Sequence, residues 1–124
     1  MRHTILLVMV ALLMVVAAAG VALAVTKTCT TVPCKGTSAA DVLRERIGDG
    51  KPDAIYGGGG RDRLWAWAYG GDTDRLYGGR GKDRLDVLDG DLKDLAHGGP
   101  GKHDVCLVDE FKEADRTCDI VGIT

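Results

Sequence analysis

Glutamate is nearly absent from this chain. Of its 18 acidic residues only Glu45, Glu110 and Glu113 are glutamate; the others are aspartate. Glutamate favours helices, whereas aspartate bonds its own backbone in tight turns and metal loops. The imbalance points away from a helical protein and toward one built of turns. Basic clusters are lacking too. The 16 lysines and arginines are scattered and the formal net charge is −2, which excludes nucleic acid held on a cationic face. Neither His97 nor His103 has a serine, cysteine or carboxylate partner in a recognisable catalytic arrangement, and no acid/base pair is left over once the repeat described below is explained. The chain is therefore read as a binding protein, not an enzyme.

A long apolar run occurs once. Arg2 and His3 lead into the stretch from Ile5 to Val25, which contains Ala22-Leu23-Ala24, the small-x-small pattern that signal peptidase cuts. Residues 1–24 are read as a signal peptide. An uncleaved anchor is the alternative, since the run is about long enough to span a bilayer, and it is the only route to membrane association. The Ala-rich end and the missing basic stop-transfer cluster favour cleavage. Without Arg2 there are 15 basic residues (16 minus 1) against 18 acidic ones, a net charge near −3. The expected location is outside the cell, secreted or held at its surface.

The 4 cysteines all follow this segment, which suits an oxidising compartment. They allow three pairings. The two local ones, Cys29 with Cys34 and Cys106 with Cys118, are the expected pair because each would close one end of whatever lies between. A zinc site is the competing reading, but the spacings are wider than C-x2-C and neither histidine falls in a ligand pattern with them.

What the chain does have is a period. Asp41, Asp62, Asp83 and Asp104 recur every 21 residues, and Leu43, Leu64, Leu85 and Cys106 follow two places later. A second series, Asp53, Asp74 and Asp94, is followed in the same way by Ile55, Leu76 and Ala96. Strict self-similarity at this length signals a solenoid. Each unit splits into a half of nine residues and a half of about twelve. The glycine-rich stretch before each aspartate can turn its carbonyls toward one point, and calcium accepts six to eight oxygens in irregular geometry. The three residues that follow are read as a short strand with its middle side chain inward. Two half-units make one turn of a flattened parallel coil.

The nine-residue form is clearest in GGGGRDRLW (residues 57–65) and GGRGKDRLD (residues 78–86). Both match G-G-x-G-x-D-x-U-x, where U is a large apolar residue, and here the chain resembles the haemolysin-type (RTX) calcium-binding repeat family. A third copy, GGPGKHDVC, carries an extra residue, His103, before its aspartate. GTSAADVLR, GDGKPDAIY, YGGDTDRLY and DGDLKDLAH keep the Asp and the inward position but lose glycines. The resemblance spans residues 36–107 and implies an all-β parallel β-roll of about 3.5 turns. Residues 25–35 and 108–124 are expected to be N- and C-terminal caps, with Asp109, Glu110 and Glu113 as surface charge.

The same resemblance implies that Ca2+ sits between equivalent loops of neighbouring turns. Carried over by position, Gly57, Gly58, Gly59, Gly60 and Asp62 would share one ion with Gly78, Gly79, Arg80, Gly81 and Asp83. The loop of Gly98, Gly99, Gly101 and Asp104 would share a second with the Gly78 loop, the extra His103 perturbing it. On the opposite edge Asp53, Asp74 and Asp94, with Asp49, Asp72 and Asp91 nearby, form weaker sites. With so few inward apolar positions, the coil is expected to be loose without metal and ordered with it. The family's best-known members leave the cell by a C-terminal signal; this chain carries the marks of an N-terminal one, so toxin-like or protease-like roles do not transfer.

Some residues stand outside the repeat. In LWAWAY an extended chain would put Leu64, Ala66 and Ala68 inward and Trp65, Trp67 and Tyr69 outward. This row gives the alternative function, a glycan- or cell-surface-binding module; the plainer reading packs it against a terminal segment. Tyr56, Tyr77 and His97 recur at one repeat position and are expected to stack as an outward ladder. Arg63, Arg75 and Arg84 follow the aspartates and are read as solvated charge.

Overall fold

The computed structural model describes residues 22–46, 50–67 and 71–124. The predicted signal segment up to residue 21, Asp49, Ala68 and Tyr69 lie outside these. Among the described residues, ten short strands form two parallel sheets. The larger sheet runs β1 (Thr26–Thr28), β3 (Val42–Arg44), β5 (Arg63–Trp65), β7 (Arg84–Asp86), β9 (Val105–Val108) and β10 (Ile120–Ile123). The smaller runs β2 (Cys34–Lys35), β4 (Ala54–Gly59), β6 (Arg75–Arg80) and β8 (Leu95–His97). Every pairing among the described strands is parallel and from β1 to β9 the chain alternates between the sheets, so it is an all-β solenoid, with about three turns of the 21-residue period.

The inward residues set this register. Leu43, Leu64, Leu85 and Cys106 stack in one sheet, and Ile55, Leu76 and Ala96 in the other. All seven predicted inward positions are fully buried. A slip of one residue would turn each column out to water, so the pattern holds the coil in step. Ala66, Val87 and Val108 add a further buried row. Replacing Leu64 with alanine is expected to cost about 2–5 kcal/mol, read as a lower melting temperature.

The predicted ends are built as expected in one respect and differently in another. Both local disulfides are present, Cys29–Cys34 and Cys106–Cys118, with Cα separations of 5.5 and 5.8 Å. The segments they close, however, are more than covers, because both continue the coil. In the N-terminal segment β1 pairs with β3, and Cys34 stands directly before Ile55 in the inward column. In the C-terminal segment β10 pairs with β9, and Ala114 bridges to Ala96.

Asp109 and Glu113, expected as surface charge, instead hold backbone together. Glu113 is only 1 % exposed. It ends a 3-10 turn (Phe111–Glu113) and accepts the backbone N–H groups of Asp109 and Glu110 at 2.9 and 3.0 Å. Asp109 accepts those of Asp89 and Gly90. Glu110 is exposed and pairs with Lys112 at 3.0 Å. A carboxylate satisfied by amides can leave water where a bare one cannot.

The expected ladder is present outside the smaller sheet. Tyr56 and Tyr77 stack with ring centroids 4.6 Å apart, and His97 follows at 5.7 Å from Tyr77. His97 is held in turn by Asp115. Burial opposes ionisation of Asp115, but hydrogen bonds from Thr117 and the contact with His97 outweigh it and hold the carboxyl below its ordinary range.

Candidate metal-binding edges

The two sheets meet along two edges of the coil. On the glycine edge the chain passes from the smaller sheet to the larger through the nine-residue half-units. On the aspartate edge it returns through the longer ones.

Each edge carries a ladder of buried aspartates. On the glycine edge, Oδ1 of Asp62, Asp83 and Asp104 accepts the backbone N–H of Asp41, Asp62 and Asp83 one turn earlier, each at 2.8 Å. Val25 starts this ladder by donating to Asp41, and Asp119 ends it by accepting from Asp104. On the aspartate edge Asp74 and Asp94 accept from Asp53 and Asp74 in the same way, and Glu113 accepts from Asp94 at 3.4 Å. One oxygen of each repeat carboxylate thus ties turn to turn.

The other oxygen is left over. Oδ2 of Asp62, Asp83, Asp104, Asp74 and Asp94 is buried with no hydrogen-bond partner. A buried carboxylate oxygen without a donor is costly, and five in repeat register need a physical reason. Burial pushes the carboxyls of Asp62 and Asp83 up to about 6, Asp74 to about 7 and Asp94 to about 8. Loss of water is the largest cause, the accepted backbone N–H opposes it, and neighbouring carboxylates add to it.

On the glycine edge these oxygens meet carbonyls. The space where Gly78 lacks a side chain has Asp83 Oδ2 and Gly98 O each 2.5 Å from an ideal Cβ position. Gly57 repeats this with Asp62 Oδ2 and Gly78 O, and Gly98 with Asp104 Oδ2 and Thr117 O at 2.8 and 2.7 Å. Carboxylate and carbonyl oxygens from adjacent turns therefore converge on one line, a donor set for a hard cation. The next residues, Gly58, Gly79 and Gly99, have φ near +100°, a conformation that glycine adopts without strain.

The structure brings together Gly57, Asp62, Gly78, Asp83, Gly98 and Asp104 in this way. Gly60, Gly81 and Gly101 stack loop upon loop. Gly59 and Arg80 pair with each other at the ends of β4 and β6, so part of the predicted loop is strand. The extra residue in the third copy is absorbed at His103, with φ 69°, and Asp104 keeps its place in the ladder. In the first copy Thr37 supplies its N–H and hydroxyl to Asp41. That carboxylate is satisfied by protein, as the loss of the glycines there would suggest.

On the aspartate edge the carboxylates meet each other. Among the described residues, three groups have ligand atoms within 4.8 Å of one another: Glu45, Asp53 and Asp74; Asp72, Asp74 and Asp89; Asp89, Asp91 and Asp94. These residues could hold a metal ion. Sequence reasoning missed Glu45 and Asp89. Glu45 was within reach, since it lies one period before Ala66 and two before Val87 and so occupies an inward position with a charge. Asp89 carried no such signal, because the longer half-units vary in length.

The aromatic row is partly exposed. Trp67 is 46 % exposed and its indole donates to Asp86 at 3.0 Å. Trp65 is half-buried beneath the Arg44 guanidinium, 4.9 Å from the ring centroid. Thr28, Arg44, Glu45, Trp65 and Trp67 line a groove of about 360 Å³. Trp65 thus packs within the larger sheet against Arg44, and Thr28 of the N-terminal segment lines the same groove. Arg63, Arg75 and Arg84 are exposed, as expected.

No protein-family model, curated protein or solved structure matches this chain.

Proposed function

We propose that the chain is a secreted calcium-binding β-roll of the haemolysin-type repeat kind, whose turns lock together when Ca2+ enters between the glycine-edge loops. The single observation that carries this reading is the line of buried Oδ2 atoms of Asp62, Asp83 and Asp104, none with a hydrogen-bond partner and each beside a carbonyl of the next turn. Calcium is the cation that suits it, because carbonyls and single carboxylates give oxygen-only, irregular coordination. The two disulfides are consistent with an extracellular location. Binding, not catalysis, is the proposed activity.

An Asp62→Asn/Asp83→Asn variant tests this, because the amide oxygen keeps the ladder hydrogen bond while the charge is lost. Calcium added to the oxidised chain is expected to raise the far-UV β signal, and EDTA to reverse it. The double variant is expected to need about a hundredfold more calcium for the same change. Equal calcium curves for variant and parent would sink the reading.

The exposed Trp67 beside its groove favours one second reading, a surface that stacks on sugar rings. A glycan-array signal that disappears in Trp67→Ala, with calcium-induced folding intact, would support it.

A further inference from the structure

We infer that the aspartate edge carries a second kind of cation site, built from the carboxylate oxygens of Asp72, Asp74, Asp89, Asp91 and Asp94, which takes a hard trivalent cation in preference to calcium.

The glycine edge offers carbonyls and one carboxylate per turn; the aspartate edge offers carboxylates in contact. Asp72 is 8 % exposed, and neither of its oxygens has a hydrogen-bond partner. Asp74 and Asp94 each use Oδ1 on a backbone N–H of the preceding turn, while Asp89 and Asp91 use theirs on Asp91 and Lys93. Oδ2 of all four is buried and unpartnered. Six oxygens therefore remain in two adjoining groups, four from Asp72, Asp74 and Asp89 and two more from Asp91 and Asp94, and water completes the inner shell of a hard cation held by such a group. Asp89 belongs to both the Asp72–Asp74 and the Asp91–Asp94 groups, so the two are continuous. Lys93 donates its ammonium to the Gly71 carbonyl at 3.0 Å.

Charge decides which ion gains most. Attraction to a carboxylate grows in proportion to the cation's charge, and affinity in oxygen sites is tuned by the number of charged ligands. Three mutually close carboxylates, Asp72, Asp74 and Asp89, carry the charge that a trivalent ion cancels. Neutral carbonyls give a trivalent ion far less added advantage, so the two edges should differ in selectivity.

Asp72→Asn is the informative variant, since its carboxylate accepts no protein hydrogen bond and the amide keeps its shape. Lanthanum is titrated calorimetrically into the oxidised full chain in saturating calcium. It is expected to bind at least about tenfold more tightly than calcium at this edge. Asp72→Asn should weaken that lanthanum binding by about tenfold or more, while Asp62→Asn/Asp83→Asn should leave it in place. Circular dichroism of Asp72→Asn in calcium checks the fold; if that variant does not fold, Asp91→Asn, at a half-buried position, replaces it. Lanthanum binding no tighter than calcium in the parent chain overturns the inference without any variant. So does lanthanum binding that is unchanged in Asp72→Asn and lost only with Asp62 and Asp83.

Discussion

Stripping divalent cations at pH 8 is expected to unfold the coil, and acidifying the metal-free chain toward pH 4–5 is expected to restore β structure. The direction follows from the raised carboxyl pKa values: about 6 for Asp62 and Asp83, about 7 for Asp74 and about 8 for Asp94, against an ordinary 3.8. A group whose pKa is higher in the fold than in the open chain favours the fold fully below pH 3.8. That contribution is lost as pH rises through the folded value. The window here runs from about 4 to about 8. Raising one carboxyl's pKa by 1 corresponds to about 1.4 kcal/mol, which is a sizeable fraction of the stability of a small domain. Asp115 acts in the opposite sense, since its lowered pKa favours the fold above the ordinary value and ceases to as pH falls.

A bound cation inverts the sign. It stabilises the ionised carboxylates, so calcium affinity should rise with pH across the same window, while protons compete for the ligand oxygens below it. The check is a set of far-UV circular dichroism curves from pH 4 to pH 9, with calcium and with EDTA. Crossing curves, with the metal-free chain more ordered in acid and the loaded chain more ordered in base, are the expected result. A metal-free chain that is equally folded at pH 8 would show the ladders to be self-sufficient, and the disulfides and apolar columns would then carry the fold.

The period explains why so much of this architecture was legible in the sequence. Asp41, Asp62, Asp83 and Asp104 sit at one spacing because each must reach the backbone N–H of the turn before. Leu43, Leu64 and Leu85 share it because they stack. One physical constraint, turn above turn, writes both series. The terminal turns obey the same constraint with different lengths. Asp104 donates to Asp119 only 15 residues on, and Val25 donates to Asp41 at a separation of 16. A search at 21 passes over both, and they read as featureless caps. The aspartate edge was obscured for a related reason. Its connections differ in length, and only the last aspartate of each is fixed in register. Asp72 and Asp89 become neighbours through loop shape, which spacing does not encode. Glu113 escaped because its burial depends on a 3-10 turn that folds its carboxylate back onto the amides of Asp109 and Glu110 just before it.

Gly81→Ala is expected to be the most damaging single substitution in the coil. An ideal Cβ at Gly81 would overlap the Gly60 carbonyl oxygen of the turn below, and φ there is +132°. Both objections act together, since the backbone conformation is one that alanine avoids and the obstruction is backbone that cannot rotate away. The same contact repeats above, where a Cβ at Gly101 would overlap the Gly81 carbonyl. Relief would require spreading adjacent loops, which would also pull Asp62 and Asp83 out of step with the carbonyls they face. The cost is therefore expected to reach about 4 kcal/mol or more, together with weaker calcium binding. Gly50→Asn is the control: φ is +60°, a region asparagine tolerates, and nothing lies within 4 Å of its Cβ position. Its melting temperature with saturating calcium should stay within a few degrees of the parent's, corresponding to about 0.5 kcal/mol. If Gly81→Ala melted with the parent as well, the loops would not be stacked at the closeness that lets two turns share an ion, and the glycine run would have to be explained by the flexibility of the unfolded chain.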